Sequence, residues 1–161
     1  AITKHNLRRS SRKHEVEIGD KTMVYTNNIL VHVFKSNSDE AYVIFQKESR
    51  GKSRIKANKT AEKIQYKYKL EGNTIVLDAY FLSEFKNLWK DEELDISFYL
   101  PKNITIYFDN SVKRFLYDVK NEGDILDREM GNHYFMMMDD VLKCTDCTIE
   151  KEEEIIEEES I

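Results

Sequence analysis

The sequence is poor in the residues that hold small cross-linked folds together or cradle phosphates. Two cysteines in 161 residues are too few for a disulfide-rich secreted scaffold. The five glycines, Gly19, Gly51, Gly72, Gly123 and Gly131, lie too far apart to build a phosphate-binding loop. No apolar run approaches the roughly 18 residues that a membrane-spanning helix needs. There is no basic segment followed by an apolar stretch, the mark of a signal peptide. The chain opens at Ala1, which fits a fragment of a longer protein, so the missing signal assigns no compartment. No serine sits in a G-x-S-x-G elbow. The four histidines, His5, His14, His32 and His133, are scattered and form no catalytic pattern with neighbouring residues. Acidic pairs such as Asp139-Asp140 read as solvated surface, and the expectation is a protein that is not an enzyme and carries no cofactor.

What is present fits one globular domain. The length is that of a single domain and suffices for a hydrophobic core. The net charge of -5 argues against direct nucleic-acid binding, although basic residues gather at Arg8–Lys13 and between Lys47 and Lys63. Charge divides the chain into a basic N-terminal segment (1–23), a β-rich domain (24–149) and an acidic tail (150–161). The tail reads as a frayed terminus, or as a short helix docking Ile155 and Ile156 on a partner.

Period-two alternation recurs, the pattern of strands with one buried face. Leu94, Ile96, Phe98 and Leu100 share one phase; Ile104, Ile106 and Phe108 share another, as do Ile75, Leu77, Ala79 and Phe81. Ile64, Tyr66, Tyr68 and Leu70 alternate with polar residues in the same way. Ile29–Phe34 and Ala41–Phe45 are apolar in both phases and predict central strands covered on both faces. Turns are expected at Ser36–Asp39, at Glu71-Gly72-Asn73 and at Pro101, which cannot sit inside a central strand. Ala57 and Ala61 predict one short helix over Ser53–Glu62, while Phe81–Lys90 fits a helix or an aromatic-anchored loop. The fold class is therefore mainly β: short stacked strands in an irregular β-solenoid or sandwich, with one short helix. Its open edges need a cap, from the helix, the termini or a second subunit.

Cys144-Thr145-Asp146-Cys147 is the most specific local motif. It admits a structural pair or disulfide, half of a metal site, or a redox couple. His133, Asp139 and Asp140 are the nearest further ligands in sequence, but their spacing matches no zinc pattern. Tyr80, Tyr99 and Tyr107 fall on the outward phase of their strands and are the candidate binding residues. Cross-strand pairing explains them equally. Met136-Met137-Met138 suits either an adaptable surface or core filling.

The order of several segments resembles a known family. These are Lys47-Glu48-Ser49-Arg50-Gly51-Lys52, Leu70 to Asp78, Leu100-Pro101-Lys102, Phe108-Asp109, Phe115 to Asn121 and Leu142 to Cys147. Together they are similar to the C-terminal region of large phage shock protein C (PspC) family proteins of Bacteroidota. The resemblance implies a toastrack domain following a membrane-embedded module and lying outside the cytoplasmic membrane. It implies sensing or scaffolding in the envelope-stress response and its transcriptional regulation. The implied partners are proteins of that response, with self-association as a further option and membrane tethering through a segment not in this chain. The family offers no catalytic residues to transfer. Rival readings are a redox- or metal-responsive module on Cys144 and Cys147, and an adhesin-like domain using Tyr80, Tyr99 and Tyr107.

Overall fold

A computed structural model describes residues 13–18, 20–48, 66–84 and 92–147. These residues form eleven strands and two single-turn 3-10 segments, at Asn110–Val112 and Asp127–Glu129. The strands are β1 (Lys13–Ile18), β2 (Lys21–Thr26), β3 (Ile29–Lys35), β4 (Tyr42–Glu48), β5 (Tyr68–Glu71) and β6 (Thr74–Leu77). They continue as β7 (Phe81–Glu84), β8 (Glu93–Leu100), β9 (Thr105–Phe108), β10 (His133–Met137) and β11 (Leu142–Cys144). Three three-stranded sheets, β1-β2-β7, β3-β8-β4 and β11-β10-β9, accompany the two-stranded hairpin β5-β6. The mainly β expectation therefore holds. β structure already begins at Lys13, inside the stretch that charge alone set apart as a basic segment.

The sheet β3-β8-β4 corrects the reading of its outer members. β8 is central, pairing parallel with β3 and antiparallel with β4. β4 has one partner strand among the described residues, and its side chains alternate between exposed and half-buried. An apolar residue in each phase thus reflects an apolar outer face and not burial from both sides. β3 gains a second neighbour from a loop. The Val31 amide donates to the Phe115 carbonyl at 2.7 Å, and the Tyr117 amide donates to the Val31 carbonyl at 2.9 Å.

An apolar core lies beneath these sheets. Ile29, Val31 and Val33 from β3 meet Leu94, Ile96 and Leu100 from β8, Leu77, Ala79 and Phe81, and Phe108, Phe135, Met137 and Leu142. The alternation expected for Leu94–Leu100 and for Ile75–Phe81 is therefore observed, with Ile75 and Phe98 half-buried and the other apolar residues of each phase buried. Each fully buried aliphatic or aromatic side chain stabilises the fold by about 1.5–3 kcal/mol relative to exposure. The segment expected to bury Tyr68 and Leu70 does not: both are exposed, Leu70 at 68%. The β5-β6 hairpin packs through Tyr66 and Ile75, and Tyr68 instead stacks its ring on Phe45, 4.5 Å between centroids. Ile104 likewise precedes β9 and is exposed.

Local chemistry sets the connections. Glu71 pairs with Thr74, so Gly72-Asn73 forms a two-residue hairpin loop, and Gly72 takes φ +61° at no steric cost. Pro101 ends β8 and leads into a turn where Asn103 has φ 70°. The Ser36 hydroxyl organises the turn after β3 by donating to the Glu40 carbonyl at 3.0 Å and accepting from the Ser38 amide at 3.1 Å. Phe81–Glu84, read as helix or loop, is a strand because Met23–Thr26 offers it an antiparallel ladder. The expected helix at Ser53–Glu62, the rest of the segment to Lys90 and the acidic tail from Glu150 lie outside the described residues.

Candidate functional site

The register of β3, β8 and β4 builds an aromatic face on the side of the sheet away from the core. Phe34 lies beside Tyr99, and Tyr99 beside Tyr42, in one cross-strand row. The next row is His32, Ser97 and Ile44. Side chains alternate sides along a strand, so these two rows share the outer face while Val31, Val33, Ile96 and Phe98 point inward. The Tyr42 and Tyr99 rings stack 4.7 Å apart at 11°, and Phe34 meets Tyr99 at 5.5 Å. His32 stacks on Phe34 at 5.7 Å and meets the edge of Tyr117 at the same separation. Tyr117 reaches this face because the loop holding it is bonded to Val31.

The result is a continuous line of rings, Tyr117, His32, Phe34, Tyr99 and Tyr42, with Ile44 beside it. Phe34, Tyr42, Ile44 and Tyr117 are each between 44% and 46% exposed. Large exposed apolar residues in contact with one another mark interaction surfaces, whereas scattered ones do not. Asp95 adds polarity: its carboxylate oxygen lies 3.0 Å from His32 Nε2, which fixes the imidazole in the row.

The three tyrosines singled out from the sequence are placed on separate parts of the molecule. Tyr99 is the centre of the aromatic face. Tyr107 lies on β9 opposite Tyr134 of β10, rings 4.7 Å apart, and is exposed. Tyr80, between β6 and β7, is half-buried and meets the edge of Tyr25 at 6.3 Å. The sequence reading missed Phe34, Tyr42, Ile44 and Tyr117. The available signal was His32-Val33-Phe34, a polar-capable residue two positions from an aromatic, which places both on one strand face.

The cysteines form a second cluster. Cys144 and Cys147 are joined by a disulfide and pack against the edge of the core. Phe135 is opposite Cys144 in the β10-β11 ladder, so His133, two residues earlier, projects to the same side. His133 Nδ1 lies 3.2 Å from Asp146 Oδ1, and the Cys144 sulfur lies 3.4 Å from that oxygen. His133 thus does join the cysteines. Asp139 does not; it pairs instead with Lys102 at 2.6 Å, which holds its carboxyl below the ordinary carboxylate range.

Side-chain hydrogen bonds hold the loop that follows Tyr117. The Asp127 carboxylate accepts from the amides of Asp118 at 2.8 Å and Val119 at 3.0 Å. The Asn121 amide group donates to the carbonyls of Val119 and Ile125, both at 2.9 Å, and its oxygen accepts from the Ile125 amide at 2.8 Å. These side chains substitute for secondary structure across a segment that buries Phe115, Leu116 and Val119.

A family model described as "ToastRack found in some PspC" matches residues 16–151, which takes in every strand from β2 to β11. No curated protein and no solved structure matches the chain.

Proposed function

This chain belongs to the toastrack domains found in some PspC proteins, and from that premise we propose that it is a non-catalytic interaction and sensing domain of an envelope-stress protein. The observation that carries the reading is the exposed line of rings from Tyr117 to Tyr42. Rigid aromatic groups contribute large contact area at small entropic cost, and they are enriched where proteins bind proteins. The face lies on one sheet whose opposite side is core, so a partner meets a stiff surface. The partners are proteins of the stress response, and the domain is tethered to the membrane by a segment outside this chain.

The Cys144–Cys147 disulfide supports an extracytoplasmic position, because disulfides persist in oxidising compartments and are rare in the cytosol. Among the described residues, no helix is long and apolar enough to cross a membrane.

The test is a Phe34→Ser, Tyr42→Ser double variant assayed in cells for the stress response, alongside its thermal melt. Both side chains are close to half exposed, so the melt should move by a few degrees at most while the response fails. A normal response from the folded double variant would remove the face from the mechanism.

A further inference from the structure

We propose that the Cys144–Cys147 disulfide conceals a Zn²⁺ site, formed after reduction by His133 Nδ1, the two cysteine sulfurs and an Asp146 carboxylate oxygen. This goes beyond the interaction reading and does not depend on it. The four candidate ligand atoms all lie within 4.8 Å of one another. Zn²⁺ prefers four N, S or O ligands in a tetrahedron, with bonds of about 2.0–2.3 Å, so neighbouring ligands sit roughly 3.3–3.8 Å apart. The 3.2 Å between His133 Nδ1 and Asp146 Oδ1, and the 3.4 Å from that oxygen to the Cys144 sulfur, already approximate edges of this tetrahedron. The sulfur pair is too close, because it is bonded. Once that bond opens, the sulfurs relax to van der Waals separation, which is about the length of the missing edge.

The loop does not rely on the disulfide for its position. The Thr145 amide donates to the Tyr134 carbonyl at 2.9 Å, and the Tyr134 amide donates to Asp146 Oδ1 at 2.9 Å. Two hydrogen bonds to β10 therefore keep Asp146 and its flanking cysteines beside His133 when the sulfurs separate. The Tyr134 amide also serves as the outer hydrogen bond that orients a ligating carboxylate. A set of two sulfurs, one imidazole and one carboxylate in a tetrahedron selects Zn²⁺ over the harder Mg²⁺ and Ca²⁺.

The chemistry balances with a dithiol as reductant. One of its thiolates attacks a protein sulfur, the Cys144–Cys147 bond breaks, and a mixed disulfide forms. Its second thiolate displaces the protein, so the reductant leaves oxidised and the protein has gained two electrons and two protons. Zn²⁺ then binds the two thiolates and their protons pass to solvent. Half-burial of both cysteines leaves the exchange a route from solvent.

The experiment titrates the 161-residue chain with Co²⁺, a spectroscopic substitute for Zn²⁺, before and after reduction by a phosphine that does not compete for the metal. Reduced protein should take up one equivalent with thiolate-to-cobalt charge-transfer absorption and intense tetrahedral visible bands, displaced by Zn²⁺. Oxidised protein should show neither. His133→Ala and Asp146→Ala should each weaken binding at least tenfold, in line with loss of a ligand. If reduced protein shows no such bands, or if both single variants bind as tightly as wild type, the proposal fails. A reduced protein that loses its strand signature and does not regain it with Zn²⁺ also overturns it, and this outcome needs no variant.

Discussion

At the scale of single residues, the structure turns several plain side chains into decisive ones. Gly131 is one. A Cβ there would stand 2.7 Å from Asn110 Oδ1 and 3.0 Å from the Asn110 backbone. Gly131→Ala should therefore destabilise by about 1–3 kcal/mol, the usual cost of overpacking, as read by urea unfolding. Tyr66 is another. Burial raises its phenol well above the ordinary tyrosine range, the nearby Asp78 charge adds to this, and the hydroxyl donates to the Asp78 carbonyl at 2.9 Å. The neutral phenol is thus favoured by folding. Its contribution is complete below the unfolded value of about pH 10 and is lost as pH rises above that toward the folded value. Tyr66→Phe should cost about 1 kcal/mol at neutral pH and make the fall in stability above about pH 10 shallower, both measurable in a pH series of denaturation curves. Tyr66 was legible in part, as a member of the alternation from Ile64 to Leu70, and Gly131 was not. Gly131 read only as one of five scattered glycines, since a close approach of backbone across the fold leaves no trace in neighbouring letters.

At the scale of elements, period-two patterns located strands better than they assigned faces. Leu94–Leu100 and Leu77–Phe81 were readable because one phase is apolar and buried. Tyr68 and Leu70 show the same alternation with the opposite result, because a hairpin at the margin keeps apolar residues in solvent as readily as polar ones. Leu70→Lys should then change stability by no more than about 0.5 kcal/mol, whereas Leu77→Ala should cost about 2–5 kcal/mol. Equal costs in chemical denaturation would mean that the hairpin's burial is wrongly described. The aromatic face escaped notice for a related reason. Ile29–Phe34 and Ala41–Phe45 are apolar in both phases, and that pattern does not distinguish a strand with a covered second face from one whose second face exposes its rings. Only the register with β8, which puts Phe34, Tyr99 and Tyr42 in one row, separates the two.

At the scale of the whole molecule, the small sheets share one core, which joins Leu94 and Ile96 of one sheet to Phe135 and Leu142 of another. The domain should accordingly unfold in one cooperative step. Phe135→Ala, in β10, should lower stability by about 3–5 kcal/mol and shift near- and far-ultraviolet dichroism together; separate transitions would show that the sheets fold independently. The disulfide contributes less to this whole. It closes so short a loop that chain entropy assigns it about 2 kcal/mol, which leaves a folded domain to work with after reduction.

The position of β8 also dictates a schedule. β3 and β4 follow one another in the chain, yet neither pairs with the other; β8 lies between them. Ile29 finds its partner only at Leu94, and Phe45 finds its own at Ile96. A chain emerging from the ribosome, or from a translocation pore, must hold both apolar strands without β8 until residues beyond Glu93 arrive. Pairings so distant make closure slow, in the millisecond-to-second range typical of β domains rich in non-local contacts. The strands that later display the aromatic face are, during synthesis, apolar segments that wait for β8.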